Sequence, residues 1–213
     1  MKTIRFVSVC IIIAAILFSG CNLAVNRSYT LRDGETLRSG KTAVNGSVTI
    51  GSDCKVGGTC RSINGVIRIG ENSKVESLQS INGGITINDD VLVHGSVTAI
   101  NGSVSCDPNT IVRGNVTAIN GSIELDNAEV QRNLKIYNGD ISLDDGSIVK
   151  GNIVVGRSKG KPREMSRIRI KISDDSVVEG DVIVEDRMAE VEVILTGDGR
   201  VKGRVKGAEV IEM

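Results

Sequence analysis

From Val44 onward, apolar residues alternate with polar ones in short runs, and Gly, Asn or Asp breaks each run after a few positions. Alternation with period two is the signature of strands with one face buried. The runs are too short for independent hairpins, and they recur. The string VTAINGS occurs at Val97–Ser103 and again at Val116–Ser122, 19 residues later. Aligned on the aliphatic-or-Tyr–Asn–Gly triplet, repeats start at Val44, Ile63, Ile81, Ile100, Ile119 and Tyr137, with spacings of 19, 18, 19, 19 and 18. Two further repeats, with the Asn-Gly worn away, carry Val178-Glu179-Gly180-Asp181-Val182 and Val201-Lys202-Gly203-Arg204-Val205. A fixed period of this length predicts a solenoid.

Two or three short strands per coil cannot pair within the coil, so they pair with the coils on either side. The rest of the coil is then the long crossover that parallel strands require. The fold class expected is all-β, a parallel β-helix of 18–19-residue coils. Its winding is expected to be right-handed, because crossovers between parallel strands nearly always are. The left-handed hexapeptide helix competes, since Ile100, Cys106 and Val112 lie six apart. Against it, Gly falls two places after the aliphatic residue rather than one, and most coils carry a nineteenth residue. About eight coils are expected over 44–207. In the coil beginning at Ile100, Ile100, Val104 and Cys106 are expected to form one inward set and Val112, Val116 and Ala118 another.

The repeated residues Asn45, Asn64, Asn82, Asn101, Asn120 and Asn138 then stack at one bend. There their amides can bond up and down the column, and the following Gly supplies backbone freedom. These are read as architectural residues, a structural ladder rather than a reactive site.

The first 20 residues belong to a different pattern. Lys2 and Arg5 precede an apolar run from Phe6 to Phe18, followed by Ser19 and Gly20. The run is shorter than the ~20 residues a bilayer span needs, so residues 1–20 read as a secretory signal helix. Leu17-Phe18-Ser19-Gly20-Cys21 resembles the bacterial lipoprotein box. That resemblance implies lipidation of Cys21 and attachment to the membrane through it. By the sorting rule of Gram-negative lipoproteins, Asn22 after the Cys implies the outer membrane, with the protein facing the periplasm. Residues 21–43 are expected as linker and N-terminal cap, and 208–213 as a C-terminal tail.

Composition narrows the chemistry. The chain has 26 basic and 26 acidic residues, and 24 against 26 without Lys2 and Arg5, so no global field draws nucleic acid. Trp is absent, and beyond the leader only Tyr29 and Tyr137 offer rings. That argues against a polysaccharide lyase or hydrolase, the enzyme class a β-helix suggests, because no catalytic His constellation and little ring-stacking surface are present. No cofactor motif occurs. Cys60 aligns with Val97 and Val116, and Cys106 with Ile50, Ile69 and Ile87. Both are expected inward, with Cys54 and Cys60 as free buried thiols rather than a disulfide. His94 is placed outward, with no metal cluster around it. Asp89, Asp90, Asp107, Asp126, Asp144, Asp145, Asp174 and Asp175 gather at one bend, and Asn and Ser interrupt their column. They are read as turn formers rather than Ca²⁺ ligands.

One stretch breaks the repeat. The insertion 156–167, GRSKGKPREMSR, carries Arg157, Lys159, Lys161, Arg163 and Arg167 against Glu164 alone. As a loop on a rigid scaffold it is the candidate contact for an anionic envelope glycolipid or polysaccharide, although solvation accounts for most such charge runs. Unpaired strand edges at the terminal coils offer a route to self-association.

Ile111-Val112-Arg113-Gly114-Asn115-Val116-Thr117-Ala118-Ile119 resembles the coils of bactofilins, polymer-forming bacterial β-helix proteins. So do Ile148-Val149-Lys150-Gly151-Asn152-Ile153 and Val177-Val178-Glu179-Gly180-Asp181-Val182. The likeness covers about residues 40–207. Bactofilins are cytoplasmic and lack a lipoprotein signal, so the leader sets this chain apart. The Asn-Gly ladder also resembles exported adhesin-type proteins. Together the resemblances imply a non-enzymatic structural, polymer-forming or adhesin-like role at the cell envelope.

Overall fold

The computed structural model describes residues 22–157 and 166–213. They form a parallel β-solenoid of about ten coils, with no helix among them. Each full coil contributes one strand to each of three parallel sheets of ten, ten and nine strands. In the fifth coil these strands are Val97–Asn101 in sheet 1, Val104–Cys106 in sheet 2 and Ile111–Val112 in sheet 3. Every strand pairs only with its counterparts one coil before and one coil after. At ~4.8 Å per coil the ten coils make a rod roughly 45 Å long.

The stack is longer than the Asn-Gly count predicts. Residues 22–43, expected as linker and cap, hold a complete first coil, Asn22–Val25, Tyr29–Leu31 and Thr36–Leu37, and the start of the second. The expected tail holds Glu209–Glu212, which pairs with Glu192–Leu195 of the ninth coil. The first coil escaped the alignment because Arg27, not Gly, follows its Asn26.

Inside, columns of Val, Ile and Leu run the length of the rod. Val48, Ile67, Ile85, Val104, Ile123 and Ile141 stack in one column of sheet 2, each no more than 1% exposed. Cys60 shares its column with Leu78, Val97 and Val116, and Cys106 lies between Ile87 and Leu125, as the alignment expects. All three described cysteines are buried and free.

The Ile100 column goes the other way. In Val97–Asn101 the inward positions are Val97 and Ala99, so Ile100 faces out and is half-buried. The same holds for Val44, Ile63, Ile81, Ile119 and Tyr137. The alternation cannot run unbroken from Ile100 to Val104, because the bend between them shifts its phase. The inward pair is therefore Val104 and Cys106 without Ile100.

Two seven-residue strands, Ser166–Ile172 and Ala189–Leu195, widen sheet 2 near the C-terminal end and pair along their whole length. Among the described residues no helix is long and apolar enough to cross a membrane.

Candidate functional site

The surface is organised by three bends, each lined by a polar column. At the bend between sheets 1 and 2 stand the asparagines. Asn45 donates its amide to Asn26 Oδ1 (2.8 Å), Asn64 to Asn45 (2.6 Å), Asn82 to Asn64 (2.7 Å), Asn101 to Asn82 (2.8 Å) and Asn120 to Asn101 (2.8 Å). The ladder therefore starts one rung earlier than Asn45. Asn138 takes the next rung by register opposite Asn120. These side chains are exposed, not buried. An exposed bond exchanges readily with water and contributes only about 0.5–1.5 kcal/mol net. Asn101→Ala is accordingly expected to lower the thermal midpoint by only ~2–4 °C, at about 1 kcal/mol for a chain of this size. A calorimetric melt of this variant beside wild type checks this, and a far larger drop would mean the ladder carries more than exposed amides can.

At the bend between sheets 2 and 3 a buried column runs through Cys54, Ser73, Val91, Thr110, Ala128, Ser147 and Ser176. Its hydroxyls close the backbone. Ser73 Oγ accepts from the Cys54 N–H (3.0 Å) and donates to the Gly51 carbonyl (2.9 Å), and Ser147 Oγ accepts from Ala128 N–H (3.2 Å) and donates to the Asp144 carbonyl (2.8 Å). The residue before each member adopts positive φ: Asp53, Asn72, Asp90, Asn109, Asn127 and Asp175 lie between 42° and 63°, and Gly146, before Ser147, lies at 79°. Asp and Asn are the side-chain-bearing residues that tolerate this region best. The turn-forming reading of the acidic bend holds for Asp90, Asp145, Asp174 and Asp175, all left-handed.

At the third bend, from sheet 3 back to sheet 1, a side-chain oxygen in each coil accepts the backbone N–H of the equivalent residue one coil on. The chain runs Ser77, Ser96, Asn115, Asn133, Asn152, Asp181 and ends on the Arg204 N–H, with distances of 2.8–3.3 Å. Sequence reasoning noticed the Gly-Asn and Gly-Asp pairs here but assigned them no role. Their signal was the spacing of 18–19 between Ser96, Asn115 and Asn133.

The acidic bend gathers Asp107, Glu124, Asp126, Asp144 and Asp145 around a shallow depression. Burial, with Asp145, Asp107 and Asp144 nearby, pushes the Asp126 carboxyl up. Burial acts the same way on Asp144, but hydrogen bonds from Ser142 (2.5 Å), Ser173 (2.5 Å) and Lys171 (2.9 Å) outweigh it and hold that carboxyl below its usual range. Among the described residues no three His, Cys, Asp or Glu side chains converge as a metal site. The thiols are poor nucleophiles: burial raises Cys60 to about 11 and Cys106 to about 12.

Cys21, Lys159, Lys161 and Arg163 lie outside the described residues. Arg157 is exposed. Arg167 belongs to a strand rather than a loop, with Glu190 at 3.6 Å and Glu192 at 4.0 Å. Those partners sit in the next coil, 23 and 25 residues on, so the charge run alone did not reveal them. Both tyrosines carry a lysine ammonium over the ring, Lys41 over Tyr29 at 4.9 Å and Lys135 over Tyr137 at 5.2 Å. No family model, curated protein or solved structure matches this chain.

Proposed function

We propose that this chain is a lipid-anchored, non-enzymatic structural rod of the bacterial cell envelope. It is held at the outer membrane through Cys21, faces the periplasm, and assembles end to end in the manner its bactofilin-like coils suggest. Its coils wind right-handed, the sense that parallel crossovers favour. The observation that carries this reading is the regularity of the stack. The rungs repeat with the same three polar columns, and no described strand covers the last one. There Val210 is 44% exposed, beside the half-buried Val201 and Val205. Unpaired parallel edges of this kind accept another strand layer. The carbohydrate-processing alternative draws less support, since both rings that could stack on a sugar have an ammonium over them.

Two readouts on the full chain test the proposal. Cells fed a fatty-acid analogue are expected to label wild type and not Cys21→Ala. Purified protein in neutral detergent is expected to sediment as assemblies larger than a single chain, which Val210→Asp dissociates. Equal labelling removes the anchor, and a single-chain distribution for wild type removes the assembly.

A further inference from the structure

The outer face of sheet 3 changes character along the rod. One outward column runs Thr36, Lys55, Lys74, Leu92, Ile111, Glu129 and Ile148 in register. A second, one residue past each inward Val or Leu, runs Arg38, Gly57, Glu76, His94, Arg113, Gln131 and Lys150. Toward the C-terminal end the lysines of this face have partners: Lys150 meets Glu129 at 2.7 Å, and Lys202 meets Glu179 at 3.4 Å. Toward the N-terminal end the cations do not. Among the described residues Arg38, Lys55 and Lys74 form no ion pair, and the Arg113 guanidinium has the His94 ring as its hydrogen-bond partner, Nη1 to Nδ1 at 3.2 Å. Lys55 and Lys74 stand directly opposite each other in adjacent rungs. Like charges so placed destabilise a sheet, and the fold keeps them there without a bridging carboxylate.

Around them lies a shallow, open groove of about 430 Å³, floored by Leu37 and Val56 and rimmed by Thr36, Arg38, Lys55, Lys74, Glu76 and His94. Gly57 leaves the gap in the second column, because no side chain fills the place between Arg38 and Glu76. The donors at its rim differ in kind: a guanidinium, two ammonium groups, a hydroxyl and an imidazole. The imidazole Nδ1 faces the Arg113 guanidinium, which can only donate, so Nε2 is the ring nitrogen left for a ligand. Glu76 is the one carboxylate of the lining.

We propose that this groove on sheet 3 is a phosphate-binding site, built for a ligand with two neighbouring phosphate groups. Phosphate oxygens suit this donor set, since Arg binds them in bidentate fashion and Lys as a point charge. The groove exceeds one phosphate in size, and the row of cations spans several rungs at ~4.8 Å each. A ligand here also neutralises the Lys55–Lys74 repulsion. The phosphates come either from a soluble pyrophosphate-like compound or from headgroups of an adjacent anionic lipid layer. The site stands independently of how the chain is anchored and of whether it assembles.

The test uses the full chain in non-ionic detergent. Titration calorimetry with sodium pyrophosphate forms one arm, and micelles doped with phosphatidic acid, against phosphatidylcholine, form the other. Wild type is compared with Lys55→Glu/Lys74→Glu and with Lys202→Glu on the same face. The double variant replaces one like-charged pair by another, so its melting temperature stays near wild type. Binding is expected in at least one arm, to weaken by roughly tenfold or more in the double variant, and to fall as salt shortens the Debye length. Lys202→Glu is expected to bind as wild type. Binding of pyrophosphate identifies a soluble ligand, and binding of phosphatidic acid micelles alone identifies headgroups. No binding in either arm, or equal binding by wild type and the double variant, overturns the proposal.

Discussion

Gly121→Val is expected to destabilise the rod by about 3–5 kcal/mol and to lower its melting temperature by ~10 °C or more. Two independent penalties meet at this position. Gly121 has φ +156°, a conformation that side-chain-bearing residues rarely adopt, and a Cβ there would lie 2.4 Å from the Gly102 carbonyl oxygen. That oxygen belongs to the backbone of the preceding coil and is locked in the stack, so it cannot swing aside. Gly102 stands in the same relation to the coil before it, 2.3 Å from Gly83 O. A side chain at either place must push two coils apart. Gly146→Val is the matched control. Its φ is +79°, but nothing lies within 4 Å of the added Cβ, so only the conformational penalty of about 1–2 kcal/mol remains. Thermal melts of the two variants decide it: equal losses would mean that φ alone matters and that the close approach of coils does not.

The same glycines explain what the sequence could and could not reveal. The Asn-Gly repeat made the coil period, the parallel pairing and the ladder positions readable, because six consecutive coils place both residues at the same bend. Where the bend forms without Gly, as at Asn26-Arg27, the coil went unseen. The facing of Ile100 was misread for a physical reason. Hydrophobicity suggests burial, but a strand alternates strictly, and Val97 and Ala99 already occupy the inward places. Half-exposed aliphatics on a solenoid face fit the pleat without entering the core. The hydroxyl column at Ser73 and Ser147 was invisible for the opposite reason, since Ser in a turn reads as solvated until the stack buries it. The candidate groove was equally hidden. Lys55 and Lys74 are unremarkable 19 residues apart in a near-neutral chain, and only the register makes them neighbours.

Leu134→Ala is expected to destabilise by about 2–5 kcal/mol, the range for deleting a fully buried leucine. Leu134 is 0% exposed and lies in register between Val116 and Ile153 in the seventh coil. Where the defect sits matters as much as its size. In a stack whose strands pair only with the coils on either side, stability is a sum of coil terms and nearest-neighbour interfaces. A cavity in the seventh coil weakens both of its interfaces and separates the six coils before it from the three after it. Val205→Ala removes a half-buried side chain from the last coil, with one interface beneath it, and is expected to cost about 1 kcal/mol or less. Urea unfolding gives the magnitudes, and amide hydrogen exchange gives the pattern. Leu134→Ala should lose protection on both sides of the seventh coil, while Val205→Ala should lose it only around Val205–Lys206 and Glu209–Glu212. If instead the two variants shift the urea midpoint equally and lose protection uniformly, the rod unfolds as one cooperative block and the nearest-neighbour description fails.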